Sequence, residues 1–246
     1  MYNFFIESSA RVGDICYIGG GDFNHVKNVL RMKVGDRILI SVNGDSALCE
    51  IVEYTESNVV ARVVEDKFQD TSLPISITLF QGLPKSDKLE LIIQKAVELG
   101  ADKIVPVEMA RSIVKLDDKK KKDKVKRWQA IAESAAKQSK RAAIPSVGDV
   151  LSFNNAVKSF SEYDLVLLPY ECKDGMNDTT SALKKIKSGM KIAVLIGPEG
   201  GFDLKEVVDA ENGGAKTISL GKRILRTETA AITALSMLML YAEINL

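Results

Sequence analysis

The sequence predicts an α/β protein in which a largely parallel sheet flanked by helices follows a small β-barrel domain. Hydrophobic residues alternate with a period of two through residues 36–65, which is typical of strands with one buried face. From residue 75 onward, short apolar runs alternate with segments of helical period, which is typical of a parallel sheet covered by helices. The chain has 246 residues, enough for two domains, and a polar stretch ending at Pro74 separates the two patterns. We therefore expect one domain at residues 1–70 and a second at residues 74–246.

The N-terminal domain is predicted to contain a short helix followed by three strands. Asp22 is expected to cap the helix, which would bury Val26, Val29 and Leu30 on one face. The dipeptide Asn43-Gly44 predicts a hairpin turn between the first two strands. This organisation predicts a small barrel with basic residues left exposed beside the helix.

The C-terminal domain is predicted to alternate strands and helices. The predicted strands lie at residues 75–80, 103–107, 164–168, 191–196 and 217–220. The predicted helices lie near residues 89–100, 123–141, 178–187, 203–212 and 227–244. Ser86 is expected to cap the first of these helices, and Thr227 the last. Because ligands bind at the carboxyl ends of parallel strands, we expect the site in the loops that begin at Pro169, Gly197 and Gly221.

The loop at residues 196–202, Ile-Gly-Pro-Glu-Gly-Gly-Phe, is glycine-rich but is not a phosphate loop. Pro198 has no N–H to donate, and Glu199 places a negative charge where a phosphate would lie. The loop matches neither of the glycine patterns of nucleotide-binding proteins. Two interpretations of the loop stay open. It could be a rigid turn whose backbone closely approaches a neutral or cationic ligand, or the glycines could be required only by the backbone angles of the turn.

A second segment, at residues 219–230, precedes the last predicted helix. Its sequence is Ser-Leu-Gly-Lys-Arg-Ile-Leu-Arg-Thr-Glu-Thr-Ala. Glu228 suits the first turn of a helix, whereas Arg226 has no such structural reason to be there. Arg226 is therefore a candidate to hold an anion at the end of a strand.

Positive charge is concentrated in one part of the chain. The net charge is only +1, but residues 111–141 carry 12 Lys or Arg residues against four acids. Four more cations, Lys27, Arg31, Lys33 and Arg37, lie close together near the N-terminus. Local positive charge of this kind attracts a phosphate backbone, although a lysine run can also be a solvated surface.

Other features exclude several classes of protein. The cysteines Cys16, Cys49 and Cys172 are odd in number and lack C-x-x-C spacing, so we expect neither disulfides nor a structural metal. The longest apolar run, at residues 232–241, is far shorter than the roughly 20 residues that span a bilayer. The N-terminus lacks the features of a signal peptide. We expect a cytoplasmic protein without a membrane segment.

The two C-terminal segments carry a resemblance to a known family. Residues 195–202 and 220–230 together resemble the SPOUT superfamily of knotted methyltransferases, and more closely the RsmE family, which methylates N3 of a uridine in 16S rRNA. The resemblance extends to residues 25–31, 85–88, 94–100, 127–128 and 138–139, and so covers nearly the whole chain. Departures occur at Ala110, where the family pattern has Glu, and at Ser134 and Lys137, where relatives often carry glutamates.

The resemblance implies a SPOUT-type trefoil-knotted domain that binds S-adenosyl-L-methionine, preceded by a PUA-like or OB-like barrel that binds RNA. The implied cofactor contacts are Leu168, Pro169, Gly197, Pro198, Glu199, Gly200, Leu220, Gly221, Ile224, Leu225 and Arg226. Arg226 is also the candidate catalytic residue, and the choice of base is left open between Glu199 and Glu228. The expected RNA contacts are Arg11, His25, Arg31, Lys33, Arg111, Arg127 and Arg141.

The expected partner is 16S rRNA within the small ribosomal subunit, and the expected assembly is a homodimer without metal. Two alternatives remain open at this point. One is a SPOUT 2'-O-ribose methyltransferase that acts on tRNA or 23S rRNA, and the other is a non-catalytic RNA-binding assembly factor. A nucleotide-dependent small-molecule enzyme is disfavoured because neither phosphate-loop pattern is present.

Overall fold

The computed structural model describes residues 1–68, 70–171 and 175–246. The chain forms two compact units, one made of Met1–Ser72 with Ala136–Ile144, the other of Leu73–Ala135 with Pro145–Leu246. The predicted N-terminal domain did not include the second segment of the first unit. Residues 136–144 include the end of a predicted helix. The periodicity of apolar residues predicts where a helix lies, but it does not predict which of two units its last turn belongs to.

The first unit contains a six-stranded sheet. Its strands are β1 (Asn3–Phe5), β2 (Arg11–Val12), β3 (Ile15–Ile18), β4 (Arg37–Val42), β5 (Asp45–Tyr54) and β6 (Val59–Glu65). They lie in the order β1-β4-β5-β6-β3-β2, with β1 parallel to β4 and the other neighbours antiparallel. The predicted hairpin turn is confirmed, because Asn43 and Gly44 join β4 to β5 with φ angles of 51° and 92°. Strands β1 to β3 were not predicted, since they are only two to four residues long.

The helix of the first unit differs from its prediction. Helix α1 (Gly20–Asn24) begins after Gly19 and continues into a π-helical turn at His25–Val29. Asp22 therefore lies inside the helix, where its carboxylate pairs with Lys137, and the prediction that it caps the helix is wrong. Val26 is buried as predicted, but Val29 is 60% exposed, because the wider π turn rotates it off the buried face.

The second unit is built on a parallel sheet. Its strands are β7 (Ser76–Gly82), β8 (Lys103–Glu108), β9 (Ser146–Val147), β10 (Leu151–Ser152), β11 (Leu165–Pro169), β12 (Lys191–Ile196) and β13 (Ala215–Ile218). The order is β10-β8-β7-β12-β11-β13, with β9 also paired to β8, and every pairing is parallel. The five predicted strands are confirmed within a few residues, whereas the short β9 and β10 were not predicted.

Helices cover the faces of this sheet, as predicted. They are α2 (Lys88–Glu98), α3 (Asp118–Ser139), α4 (Phe153–Lys158), α5 (Asn177–Leu183), α6 (Leu204–Asn212) and α7 (Thr227–Asn245), of which α4 was not predicted. The residues of α3 from 136 onward belong to the first unit. Within the described part of the chain, no helix has the length and apolar character needed to cross a membrane.

Two predicted helix caps are wrong. Asp87, not Ser86, precedes α2, and Ser86 instead has a left-handed φ of 55°. Arg226, not Thr227, is the N-cap residue of α7. Both predictions relied on a side chain that often caps helices. In the structure, Ser86 lies in a left-handed turn before the helix, and the hydroxyl of Thr227 donates to the carbonyl oxygen of Gly197.

One hydrophobic cluster of the second unit forms between the central strands and the helices on one face of the sheet. Phe80 of β7 packs edge-on against Phe160 and Tyr163, with ring centroids 5.8 and 5.7 Å apart. Residues 192–196 of β12 are all buried, as expected for a strand covered on both faces. Because the strands are parallel, the carboxyl ends of β7, β11, β12 and β13 all lie at the same end of the sheet.

The chain turns back after β13, which lies at the edge of the sheet. Residues 219–226 lead to Thr227, which hydrogen-bonds to Gly197 after β12 and to Gln81 in β7. The last helix therefore starts beside the central strands rather than beyond the edge strand.

Of the cysteines, Cys16 and Cys49 are buried and form no disulfide. Cys172, and Gln69 at the predicted domain boundary, lie outside the described residues.

Candidate functional site

The loops that follow β11, β12 and β13 meet around a cavity of about 410 Å³. Its lining consists of Lys88, Pro169, Glu171, Ile196, Gly197, Pro198, Glu199, Gly200, Gly201, Phe202, Ile224, Leu225, Arg226, Thr227 and Ala230. A smaller cavity of about 60 Å³ shares Pro169, Glu171, Leu225 and Ala230 with it and adds Leu220 and Gly221. The three loops that the sequence singled out therefore form one site.

The glycine loop, residues 197–201, is tightly packed on its protein side. A Cβ at Gly200 would lie 2.9 Å from the Cβ of Arg111, and one at Gly82 in β7 would lie 2.7 Å from Pro198. Gly201 has a φ of 68°, a left-handed conformation that side chains rarely adopt. The loop is thus held against its neighbours by close backbone approach, and its other side is left to face the cavity.

A buried hydrogen-bond network joins the glycine loop to the start of α7. The hydroxyl of Thr227 donates to the carbonyl oxygen of Gly197 at 2.6 Å and accepts from the amide nitrogen of Gln81 at 2.9 Å. Gln81 is fully buried, and its amide nitrogen also donates to the carbonyl oxygen of Gly82. Three segments far apart in the sequence are therefore fixed together at the wall of the cavity.

A charged cluster lies at the same wall. The ammonium of Lys88, at the start of α2, lies 3.1 Å from Glu199 and 3.5 Å from Glu228. The backbone N–H of Lys85 donates to both carboxylate oxygens of Glu199, at 3.1 and 3.3 Å. Burial alone would raise the pKa of Glu199, but hydrogen bonds from its own backbone, Lys88 and Lys85 outweigh burial and lower it. The hydrogen bond to Glu199 likewise raises the pKa of Lys88, so the pair is ionised at neutral pH.

The segment after β8 supports the glycine loop from the other side. The guanidinium of Arg111 donates to the carbonyl oxygen of Gly200 at 3.1 Å and lies 3.7 Å from the carboxylate of Asp203. The carboxylate of Glu206, which is buried, accepts from the backbone N–H of Ala110 at 2.7 Å and from that of Asp203 at 3.0 Å. Arg111 was predicted to contact RNA, yet its side chain is placed on the glycine loop.

Arg226 is placed at the mouth of the cavity. Its side chain is exposed, lines the cavity, and makes no hydrogen bond or ion pair with any residue that the structure describes. A guanidinium has five N–H donors in a fixed plane, which suits it to a carboxylate or to the oxygens of a planar anion. Arg226 is therefore available to a ligand.

Ten of the eleven predicted cofactor residues line one of these two cavities. The exception is Leu168, whose side chain is fully buried in the hydrophobic core under the sheet. Prediction from the sequence missed seven residues that line the larger cavity: Lys88, Glu171, Ile196, Gly201, Phe202, Thr227 and Ala230. Lys88 lies in the Lys-Ser-Asp-Lys segment that carried part of the resemblance, and this was the one available signal for it.

The residues predicted to bind RNA in the first unit fall into two groups. His25, Arg31 and Lys33 are exposed beside the π-helical turn. Arg31 has a left-handed φ of 53°, an uncommon conformation for a residue other than glycine that is often found at functional positions. Arg11 instead forms a two-pronged ion pair with Asp66, at 2.9 and 3.1 Å.

The remaining predicted RNA contacts have partners or are buried. Arg127 in α3 pairs with Glu90 at 2.8 Å, although its side chain stays largely exposed. Arg141 is only 7% exposed, which argues against direct contact with a phosphate backbone. Among the described residues, no group of three or more His, Cys, Asp or Glu side chains is arranged to hold a metal ion.

Comparison with known proteins identifies the family. A family model described as an RNA methyltransferase domain matches residues 71–239, and one described as an RNA methyltransferase PUA domain matches residues 18–64. Ribosomal RNA small subunit methyltransferase E of Bacillus subtilis is 41% identical over 231 residues, which covers 92% of this chain and 90% of that protein. The chain belongs to the ribosomal RNA small subunit methyltransferase E family.

Other members of the methyltransferase E family agree with this assignment. The protein of the same name from Mycobacterium bovis is 30% identical over 94% of this chain and 88% of its own length. A crystal structure of the Neisseria gonorrhoeae methyltransferase E, bound to S-adenosyl methionine, has a TM-score of 0.83 at 28% identity and covers 98% of this chain and 97% of that one. The predicted α/β fold class, with a parallel-sheet methyltransferase domain after a PUA-like β domain, is confirmed.

Proposed function

We propose that this chain transfers a methyl group from S-adenosyl-L-methionine to N3 of a uridine in 16S rRNA of the small ribosomal subunit. The observation that carries the proposal is the cavity between the three strand-end loops, with the unpaired Arg226 at its mouth, in a member of the methyltransferase E family. The family name supports the small-subunit substrate, and the sequence resemblance supports N3 of uridine.

The residues of the cavity fit this cofactor. Its lining carries two cations, Lys88 and Arg226, and two acids, Glu171 and Glu199, so the charges balance. A molecule with one carboxylate, one ammonium and one sulfonium suits such a lining better than a phosphate does. At Gly221, which has a φ of 108°, an added Cβ would meet nothing within 4 Å, so this backbone leaves open space for a ligand. We propose that the ten predicted residues that line the two cavities hold the cofactor, and that Leu168 supports them from the core.

The cofactor, when bound, supplies an electrophilic methyl group on a sulfonium. The task of the chain is then to align the acceptor nitrogen with that methyl group, since displacement is in line. N3 of uracil carries a proton at neutral pH, and its loss spreads negative charge onto the two flanking carbonyl oxygens. We propose that the guanidinium of Arg226 stabilises this charge.

Glu199 was a candidate for the base that accepts the N3 proton. Its lowered pKa makes it a weak proton acceptor, and its two oxygens are already bound by Lys85 and Lys88. We therefore propose that Glu199 positions the glycine loop instead.

We also propose that each predicted domain has its own function: residues 1–70 bind RNA, and residues 74–246 transfer the methyl group. The family matches at residues 18–64 and 71–239 support it. His25, Arg31 and Lys33 are the best supported RNA contacts, because their side chains are exposed and can donate hydrogen bonds to phosphate oxygens. Contacts in the basic segment would come chiefly from α3, where Lys119 and Lys122 are exposed.

A homodimer is the proposed assembly. Helix α7 is apolar around its whole circumference, yet Leu240 and Ile244 are 50% and 75% exposed, as is typical of a helix that a second copy covers. Light scattering coupled to gel filtration would give the mass of two chains if this is correct and of one chain if it is not. A ribosomal substrate would also place the protein in the cytoplasm.

The function is tested by incubating the protein with labelled S-adenosylmethionine and, in parallel reactions, with small subunits, large subunits or tRNA from a strain that lacks this modification. We expect label in 16S rRNA and none in large subunits or tRNA. Label in tRNA or 23S rRNA would instead favour a 2'-O-methyltransferase, and cofactor binding without transfer to any RNA would favour a non-catalytic assembly factor.

A further inference from the structure

Lys88 occupies a position between two acids that belong to different segments. Its ammonium lies 3.1 Å from an oxygen of Glu199 in the glycine loop and 3.5 Å from an oxygen of Glu228 in the first turn of α7. The side chain of Glu228 is mostly buried, with 16% exposed, whereas that of Lys88 is 34% exposed. One cation therefore links three elements: α2, the glycine loop and α7.

The carboxylate of Glu228 depends on this cation. Its Oε2 is buried and has no hydrogen-bond partner among the described residues, so the charge of Lys88 is its nearest compensation. A buried carboxylate without a counter-charge is strongly unfavourable. Removal of the cation would leave the buried oxygen of Glu228 without its counter-charge, so we expect this carboxylate to move toward solvent.

The position of Glu228 in the chain makes this link relevant to the cavity. Glu228 follows Thr227, which is bonded to Gly197, and Thr227 follows Arg226, whose side chain is free at the cavity mouth. The backbone of Arg226 is thus held by the two residues after it. A shift of Glu228 would be passed directly to Arg226.

We propose that Lys88 is a positioning residue that fixes the glycine loop through Glu199 and the start of α7, with Arg226, through Glu228. It acts by charge rather than by contact with the nucleotide that is methylated. The inference rests on the proposed function only in assigning the cavity to S-adenosylmethionine.

The test compares cofactor binding by the full-length wild type and Lys88→Met, measured by titration calorimetry without RNA. We expect the dissociation constant for S-adenosylmethionine to rise about tenfold. The matched control is Lys95→Met, which removes an ion-paired lysine on the same helix, bound to Glu98 at 2.9 Å and outside the cavity lining. The control should bind like the wild type, and equal affinity of Lys88→Met and Lys95→Met would overturn the proposal.

A charge rescue separates positioning from loss of packing. In the Lys88→Met background, Glu228→Gln removes the uncompensated charge, and we expect the double variant to bind the cofactor more tightly than Lys88→Met alone. A double variant that binds no better than the single one contradicts the charge role. Lys88→Gln replaces Lys88→Met if the latter does not fold, with the same expected loss and the same rescue.

Turnover gives an independent readout. Because Arg226 would also be displaced, kcat at saturating cofactor should fall about tenfold in Lys88→Met and recover in part in the double variant. An unchanged kcat together with weaker binding would confine Lys88 to the glycine loop and overturn its link to Arg226. If the wild type binds the cofactor but methylates no 16S rRNA, the proposed substrate fails while the binding test of Lys88 still stands.

Discussion

The hydroxyl of Thr227 donates a hydrogen bond of 2.6 Å to the carbonyl oxygen of Gly197, 30 residues earlier in the chain. This bond joins the end of β12 to the start of α7 at the wall of the cavity. The same hydroxyl accepts a bond from the buried amide of Gln81, so that all three groups lie out of reach of water. The shape of the cavity therefore depends on the hydrogen bonds of Thr227 to Gly197 and Gln81.

Replacement of Thr227 by valine should destabilise the protein and weaken cofactor binding. Valine has nearly the same shape, but it removes both hydrogen bonds of the hydroxyl and leaves the buried carbonyl of Gly197 with only a long 3.5 Å contact from the amide of Gln81, which costs about 1–3 kcal/mol. Urea unfolding would measure the loss, and calorimetry the cofactor affinity. Thr229→Val on the exposed face of α7 is the matched control, and an equal effect of both substitutions would show that the loss is one of helix propensity.

Arg226→Ala should separate binding from chemistry. Because the guanidinium is exposed and bonded to none of the residues that the structure describes, its removal should leave the fold intact, and cofactor affinity should stay within a few fold. Turnover should fall by about 10²–10³, the usual effect of removing a group that stabilises developing negative charge. Single-turnover methyl transfer at saturating cofactor measures this. Turnover at the wild-type rate would remove Arg226 from the mechanism.

Arg111→Ala tests whether this residue serves the cofactor loop or RNA. Its guanidinium is bonded to the carbonyl oxygen of Gly200, so we expect the cofactor dissociation constant to rise about threefold to tenfold, a net loss of about 1 kcal/mol. Lys115→Ala, in the same basic segment and exposed, should leave cofactor binding unchanged. If Arg111→Ala lowers RNA affinity and leaves cofactor affinity intact, the interpretation from the charge pattern is right and the one from the structure is wrong.

Asp66→Asn tests an ion pair in the first unit. The hydrogen bond from Arg11 lowers the pKa of Asp66, so the folded state binds the proton more weakly than the unfolded state does. The resulting stability is present above the unfolded pKa of about 3.9 and is lost as the pH falls through the lower folded pKa. Since the pair is exposed to solvent, the difference between wild type and variant at pH 7 should be only about 0.2–1 kcal/mol.

Urea unfolding of the wild type and of Asp66→Asn at several pH values measures this difference. We expect it to shrink steadily below pH 4 and to fall further in high salt. A difference that is independent of pH would mean that the carboxylate contributes through packing and not through its charge.

Much of the site could be predicted from the sequence because it depends on strand ends. Strands β11 and β12 are short apolar runs, and parallel strands bring their carboxyl ends to the same end of the sheet. The unusual composition of the glycine loop then excluded a phosphate ligand. Local sequence carried both inferences.

The rest could not be predicted because it depends on contacts between distant residues. The ion pairs of Lys88 with Glu199 and Glu228 carry no periodic signal. Thr227 has the residue type of a helix cap, yet a carbonyl acceptor at Gly197 determines its role. Arg111 belongs to a run of basic residues, and only the fold places it on Gly200. The π-helical turn at His25–Val29 also had no signature in the pattern of apolar residues.

The most direct test of the central claim is nucleoside analysis of 16S rRNA after methyl transfer from labelled S-adenosylmethionine to unmodified small subunits. We expect the label to elute as N3-methyluridine, and we expect Arg226→Ala to produce almost no labelled N3-methyluridine at the same protein concentration. Label in a ribose-methylated nucleoside would contradict the account, because the proposed charge stabilisation by Arg226 applies to the uracil ring and not to a ribose hydroxyl.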